Sequence, residues 1–444
     1  MKITLSFKPI FFLFLPLVLV ITSFFIYKFL SLKTFQAQKE TQLLKEKVAQ
    51  ILIGRDDGGE KNDFSKIIED YNKKCYEREK ILKKSENIKG VYITKYVANA
   101  GEKDLAAQEI LNRIKKIVDE TEINGVVIDV KDEFGFQLSE NLKKLIDEFH
   151  QKNIWVIARI VVFREASFNE KNRDFYLQKK DKTTWRDGKG YFWLDPASSQ
   201  VQKSIIDLSL ETIDFGFDEI QFDYLRFPHD DQNAIYPFYD KKSEKKEIIR
   251  DFYLKIRNNL REHKSDIILS VDLFGENAIK FSSPEIGQDL INTIDIFDYI
   301  SFMLYPSHFY FGFEVKADEK RNLPALHFPA QDKDPNKVVS NHPYEVILRS
   351  IFSAEDFISS VFEENLKLGR QPHCLSQNLK LLFCPKPKIR PWLQNFDLKR
   401  DTDRGIFYDA QKVKAQIKAA QDAQASGWLL WDPSNIYTIE ALSR

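Results

Sequence analysis

From Ile88 to the C-terminus the chain repeats one pattern, a short apolar run followed by a longer amphipathic stretch. The apolar runs are Gly90–Thr94, Asn124–Asp132, Ile154–Phe163, Gly216–Pro228, Ile267–Gly275, Phe297–Pro306 and Trp428–Pro433. One more falls between Leu379 and Phe396, where Pro391 leaves its register open. Between them, Leu105–Thr121, Leu142–Lys152, Val201–Phe215, Lys246–His263 and Gln411–Ser426 place apolar residues at helical spacing. Strands that are apolar throughout are buried on both faces, as in a parallel sheet covered by helices. Eight such units predict an α/β fold that closes into a (β/α)₈ TIM barrel over 88–444. An open doubly wound sheet is the rival. The chain lacks the Gly-x-Gly-x-x-Gly turn and the Gly-Lys-Ser/Thr loop that its nucleotide-binding versions use.

The fourth run breaks the apolar rule. Glu219, Gln221 and Asp223 occupy alternate positions and therefore share one face of the strand. An unpaired buried carboxylate is very costly, so these residues are either a structural ion pair, such as Asp223 with Arg226 or another arginine, or a site. The other runs favour a site. In a barrel the chemistry sits at the C-terminal strand ends, and polar residues gather there: Asp129, Lys131 and Asp132 on the second strand, and Arg159 on the third. Gln221, Asp223 and Arg226 belong to the fourth, Asp272 and then Glu276 to the fifth, Tyr305 to the sixth, and Trp431 and Asp432 to the eighth.

This set is rich in carboxylates, arginine and aromatics, and poor in histidine. His150, His229, His263, His308, His327, His342 and His373 are all read as helical or loop residues, so no metal site and no cofactor is expected. No Gly-x-Ser-x-Gly elbow supports acyl transfer. Two carboxyl groups across an aromatic-walled cleft suit glycosidic cleavage, one as proton donor and one as nucleophile or charge stabiliser. Lys+Arg and Asp+Glu both number 66, a balance that argues against a nucleic-acid partner.

The run from Pro9 to Leu32 is mostly apolar, with Lys28 its one charged residue, and is long enough to span a bilayer. Residues 1–32 are expected to be a membrane anchor that leaves the barrel extracytoplasmic, or a cleaved signal that leaves it secreted. Residues 33–87 read as a polar helical stalk. Cys75, Cys374 and Cys384 form no metal-ligand spacing, and a Cys374–Cys384 bridge is left open. The segment at about 306–377, with a helix near Pro343–Lys367, is expected to overhang the mouth as one wall of the cleft.

Several of these stretches carry a family resemblance. Thr94, NGVVIDVKD (124–132), IARIVVF (157–163), FDEIQFDYLRFP (217–228), YISFMLYPS (299–307), PWLQNF (391–396) and GWLLWDPSNIY (427–437) resemble the bacterial putative glycosyl hydrolase domain, a family of unknown function. The resemblance runs from about Ile88 to the C-terminus and implies a glycosidase-type barrel behind a membrane or export segment. Residues 217–224 are also distantly similar to the fourth-strand motif of chitinase-like barrels. There a catalytic Glu follows the Asp by two positions, whereas this chain has Leu225, so that mechanism does not carry over.

The expected catalytic pair is Asp223 as nucleophile or charge stabiliser and Asp272 as acid/base, with Glu276 or Asp432 as substitutes. Substrate contacts are expected from Asp129, Lys131, Arg159, Gln221, Arg226, Tyr305, Trp392, Gln394, Trp431 and Trp193. The partner expected is a cell-wall or extracellular polysaccharide. The competing expectation is a non-catalytic carbohydrate-binding barrel, separable by whether a second carboxylate lies within about 5–10 Å of Asp223.

Overall fold

A computed structural model of the chain describes residues 73, 76–367 and 386–443. The expected anchor, most of the stalk, the three cysteines and His373 lie outside the described residues. Among the described residues no helix is long and apolar enough to cross a membrane.

Eight parallel strands form the barrel: β1 (Ile88–Ile93), β2 (Gly125–Asp132), β3 (Trp155–Val161), β4 (Glu219–Asp223), β5 (Ile268–Phe274), β6 (Tyr299–Leu304), β7 and β8 (Gly427–Trp431). β7 is two short pieces, Lys388–Ile389 and Trp392–Gln394, split at Pro391, which has no N–H to donate to the ladder. Each strand pairs with the next, and β8 returns to β1 through Ile88↔Gly427 to Val91↔Leu430. Closure is tight at that seam. Gly427 has φ +86°, and a Cβ there would lie 2.0 Å from the Ile88 carbonyl oxygen, so only glycine fits.

Among the described residues, six long helices cover the strands: α1 (Leu105–Glu120), α2 (Glu140–Gln151), α3 (Ser199–Phe215), α4 (Lys245–His263), α5 (Pro343–Lys367) and α6 (Ala410–Asp422). Between β5 and β6 the connection has only short turns of helix, such as Asn277–Lys280. Helix α5 lies where the sequence places it, but Val346, Ile347, Ile351, Ala354 and Ile358 are buried in the main core. It is therefore a barrel helix and not an overhanging wall.

Two apolar layers result. The larger joins strands to helices. The smaller fills the barrel interior with Ile88, Tyr92, Val127, Trp155, Ile157, Ile268, Tyr299, Trp392 and Leu429, alternate residues of their strands. Its floor is polar. Arg390 Nη1 donates to both oxygens of Glu219 at 2.9 Å, Trp155 Nε1 donates to Glu219 at 2.9 Å, and Arg390 stacks over the Tyr299 ring at 3.7 Å. The end of the expected stalk packs here too. Arg78 pairs with Asp298, and Ser85 lies 2.8 Å from the Tyr299 hydroxyl through its own hydroxyl.

Candidate active site

The inward side chains at the C-terminal ends of β1 to β5 converge on one guanidinium. Arg159 on β3 donates from Nε (3.2 Å) and Nη2 (2.5 Å) to Asp223 Oδ2, and from Nη1 (2.6 Å) to Asp129 Oδ1. Its Nε also lies 3.7 Å from Asp272 Oδ2. Register explains the meeting: Asp129, Arg159 and Gln221 are neighbours across β2, β3 and β4, and Asp223 follows Gln221 by one inward step. A bulge between Asp129 and Lys131 lets β2 place two polar side chains in succession at its end.

The carboxylates are held differently. Asp129 accepts from Arg159 and from the Tyr92 hydroxyl at 2.5 Å. Asp223 accepts from Arg159 through Oδ2 and from the Tyr224 backbone N–H, at 2.6 Å, through Oδ1. Asp272 accepts a 2.9 Å bond from Trp392 Nε1 through Oδ1, while its buried Oδ2 makes no hydrogen bond. Because Asp223 and Asp272 each place an oxygen near Arg159 Nε, those oxygens are separated by no more than about 7 Å, below the upper limit for a pair of glycosidase carboxylates.

Burial and charge then separate the acids. Asp272 is 1% exposed, and burial, followed by the neighbouring charge of Asp223, pushes its pKa well above the carboxylate range. Burial raises Asp129 to about 6, against the opposing pull of Arg159 and Tyr92. Burial disfavours the Arg159 cation, but Asp129 and Asp223 outweigh it and leave its pKa above the ordinary arginine value. Tyr305 stacks on Trp431 at 5.5 Å, and burial with the charges of Asp272 and Asp223 raises its pKa.

The other expected residues have these partners within the protein. Arg226 does not pair with Asp223; its Nη1 donates to the Phe227 carbonyl at 2.9 Å and the guanidinium lies among aromatic rings. Lys131 donates to the Val161 carbonyl at 2.6 Å. Gln221 donates to Ser301 at 3.2 Å inside the barrel. Glu276 pairs with Lys280, and Asp432 accepts the Ser434 N–H at 2.7 Å in the turn after β8, so neither joins the carboxylate group. Trp392 is spent on Asp272, and Trp193 donates to Asp187 at 2.9 Å.

Gln394 is fully buried. It accepts from the Ser307 N–H (3.1 Å) and donates to Ser307 Oγ and the Phe396 carbonyl, both at 2.8 Å. It is a clamp between the ends of β6 and β7. Gln394→Ala is expected to cost roughly 1–3 kcal/mol, the penalty for buried groups left unpaired. Urea unfolding measures it, and KM for the substrate should hold; a raised KM with unchanged stability would return Gln394 to substrate binding.

Three neighbours of the site escape a reading based on strand ends. Tyr92 is the inward residue of β1 after Gly90, a position that alternation alone could have marked. Tyr224 follows Asp223 directly with φ +51°, a strained conformation for a non-glycine residue. His308, on the turn after β6, sits edge-on to Tyr305 at 5.2 Å, and burial lowers it to about 4. His327 lies on a short strand, Leu326–Phe328, of a hairpin and not in a loop or helix. Among the described residues no group of three or more His, Cys, Asp or Glu is arranged to hold a metal ion.

A closed parallel barrel whose strand ends carry acids gathered on one arginine is a TIM barrel with its polar groups at the face where such barrels hold their sites. The chain belongs to the family described as "Putative glycosyl hydrolase domain", which it matches over residues 90–437. No curated protein matches it. Among solved structures it is similar to a hypothetical protein from Ruminiclostridium thermocellum ATCC 27405, with 29% identity, covering 41% of this chain and 96% of that one, at TM-score 0.35. The glycoside hydrolase domain of PgaB (BpsB) from Bordetella bronchiseptica is 11% identical, with coverage of 79% and 94% and TM-score 0.48. The spore cortex-lytic enzyme SleL of Bacillus megaterium QM B1551 is 11% identical, with coverage of 81% and 75% and TM-score 0.43. At these scores the three likenesses carry nothing about activity or substrate.

Proposed function

We propose that the barrel hydrolyses glycosidic bonds of a cell-wall or extracellular polysaccharide, with Asp272 as general acid and Asp223 as the opposing carboxylate. One observation carries the reading. Asp272 has a buried oxygen without a hydrogen bond, beside a second carboxylate that is fixed by Arg159. A carboxylic acid kept protonated by burial next to an ion-paired partner is the division of labour that glycosidic cleavage requires.

In that scheme the bond from the anomeric carbon to the leaving oxygen breaks, and the Asp272 proton goes to that oxygen. Asp223 opposes the positive charge that develops on the sugar, and water supplies the hydroxyl of the new reducing end while its other proton returns to the Asp272 carboxylate. Trp392 orients Asp272 through its hydrogen bond, and Arg159 fixes Asp223 and Asp129 in place. Tyr305 and Trp431 offer an aromatic wall for the sugar rings.

The test is incubation of the full chain with a panel of bacterial cell-wall and exopolysaccharides, reading new reducing ends. The expected result is reducing ends from at least one of them. Glycan retained by the protein with no bond broken would instead make it a binding barrel. The proposal also places the barrel outside the cytoplasm, held by the apolar run of 9–32 or released from it. Protease added to intact cells should then digest the barrel; full protection would contradict that location.

A further inference from the structure

Arg226 is used by neither the fold nor the scheme above. It follows the end of β4, is 7% exposed, and donates one hydrogen bond, from Nη1 to its neighbour's carbonyl at 2.9 Å. The rest of the guanidinium lies in a nest of rings: 4.6 Å from the Phe274 centroid, 5.0 Å from Trp193 and 5.1 Å from Tyr224. Phe274 is two residues beyond Asp272 on β5 and so shares its face, which sets Arg226 one side-chain layer above the acid, toward the mouth.

The nearby charges leave Arg226 without an ion pair among the described residues. Asp223 is taken by Arg159, Asp187 accepts from the Trp193 indole, and the neighbouring Arg164 guanidinium is paired with Glu133 and so leaves that acid no free charge for Arg226. Arg164 stacks on the Tyr224 ring at 3.6 Å, so that ring is flanked by two guanidiniums, and Arg164 Nε is buried without a partner. A buried, unpaired cation is costly, and an arginine fork presents parallel N–H groups that match an oxyanion.

The geometry points to an anion subsite at Arg226 that takes a negatively charged substituent of the glycan, a uronate carboxylate or a sulfate ester, in the sugar next to the cleaved bond. This rests on the hydrolase reading for the position of that bond. The subsite selects acidic polysaccharides over neutral ones of the same linkage, because a neutral sugar leaves the cation unpaired.

The test measures binding by calorimetry for wild type, Arg226→Met and Arg226→Lys, each checked for folding by thermal unfolding. The probes are oligogalacturonates, oligoglucuronates and sulfated galactan fragments, each beside its carboxyl-reduced or desulfated counterpart. Wild type is expected to bind at least one acidic fragment at least about tenfold more tightly than its neutral counterpart. Arg226→Met should erase that preference, and Arg226→Lys should keep part of it by charge alone. Which arm responds identifies carboxylate or sulfate. Equal affinity for both members of every pair, no binding of any acidic fragment, or a preference that survives Arg226→Met overturns the proposal. Acid-selective binding without cleavage would sink the hydrolase reading and leave the subsite standing. Cleavage of neutral glycans as fast as acidic ones would do the reverse.

Discussion

Asp272→Asn is expected to lower turnover of a natural glycan by about 10²–10⁴-fold, the usual contribution of a positioned general acid. The loss should be smaller on an aryl glycoside whose leaving group needs no proton. The pH profile gives an independent sign. A general acid must be protonated, so the wild-type rate should fall as pH rises through the raised Asp272 pKa, and that limb should vanish in Asp272→Asn. The same shift sets the direction of stability. A raised folded value contributes stability that is fully present below the unfolded carboxylate pKa, about 4, and is lost as pH rises through the folded value. Thermal unfolding of wild type across that window should therefore decline, and the decline should be weaker in Asp272→Asn.

Arg390→Met is expected to cost about 3–5 kcal/mol, the largest stability loss predicted for the barrel. Arg390 and Glu219 are both fully buried in the floor, and removing the guanidinium leaves Glu219 with only the Trp155 indole as a hydrogen-bond partner. Arg390 also ties the floor to the segment before β1 through the Ser85 carbonyl at 2.7 Å, so its loss loosens that segment as well. Adding Glu219→Leu should recover part of the loss, since two apolar groups in place of a buried pair are nearly neutral. Recovery should be incomplete, because Trp155 then lacks its acceptor. Urea titration of the single and double variants reads both numbers. A single variant as stable as wild type would show that the floor pair does not hold the barrel.

The two ends of β4 show what was legible in the sequence. Alternation placed Glu219, Gln221 and Asp223 on one face, and that placement holds. It could not show that Glu219 lies at the floor, neutralised by an arginine from β7, while Asp223 lies at the mouth. Depth along a strand depends on strand tilt and on which partner reaches across, and Arg390 comes from the run whose register Pro391 obscured. Most strands were visible because buried parallel strands are apolar throughout, and the helices because their apolar residues recur at helical spacing. Helix α5 was visible as a helix but not as part of the barrel, since the hairpin and turns between it and β6 made the whole segment resemble an insertion. Gln394, Glu276 and Asp432 have the residue types of site residues and sit at strand ends. Their partners, Ser307, Lys280 and the Ser434 N–H, were not legible in the sequence.

The central claim, that Asp223 and Asp272 act as a pair on a glycosidic bond, is tested most directly by rates of reducing-end release. Wild type, Asp223→Asn and Asp272→Asn should be compared on one cleaved glycan, with circular dichroism showing all three folded. Each variant is predicted to lose at least about 100-fold. Wild-type rates in either folded variant would contradict the pairing.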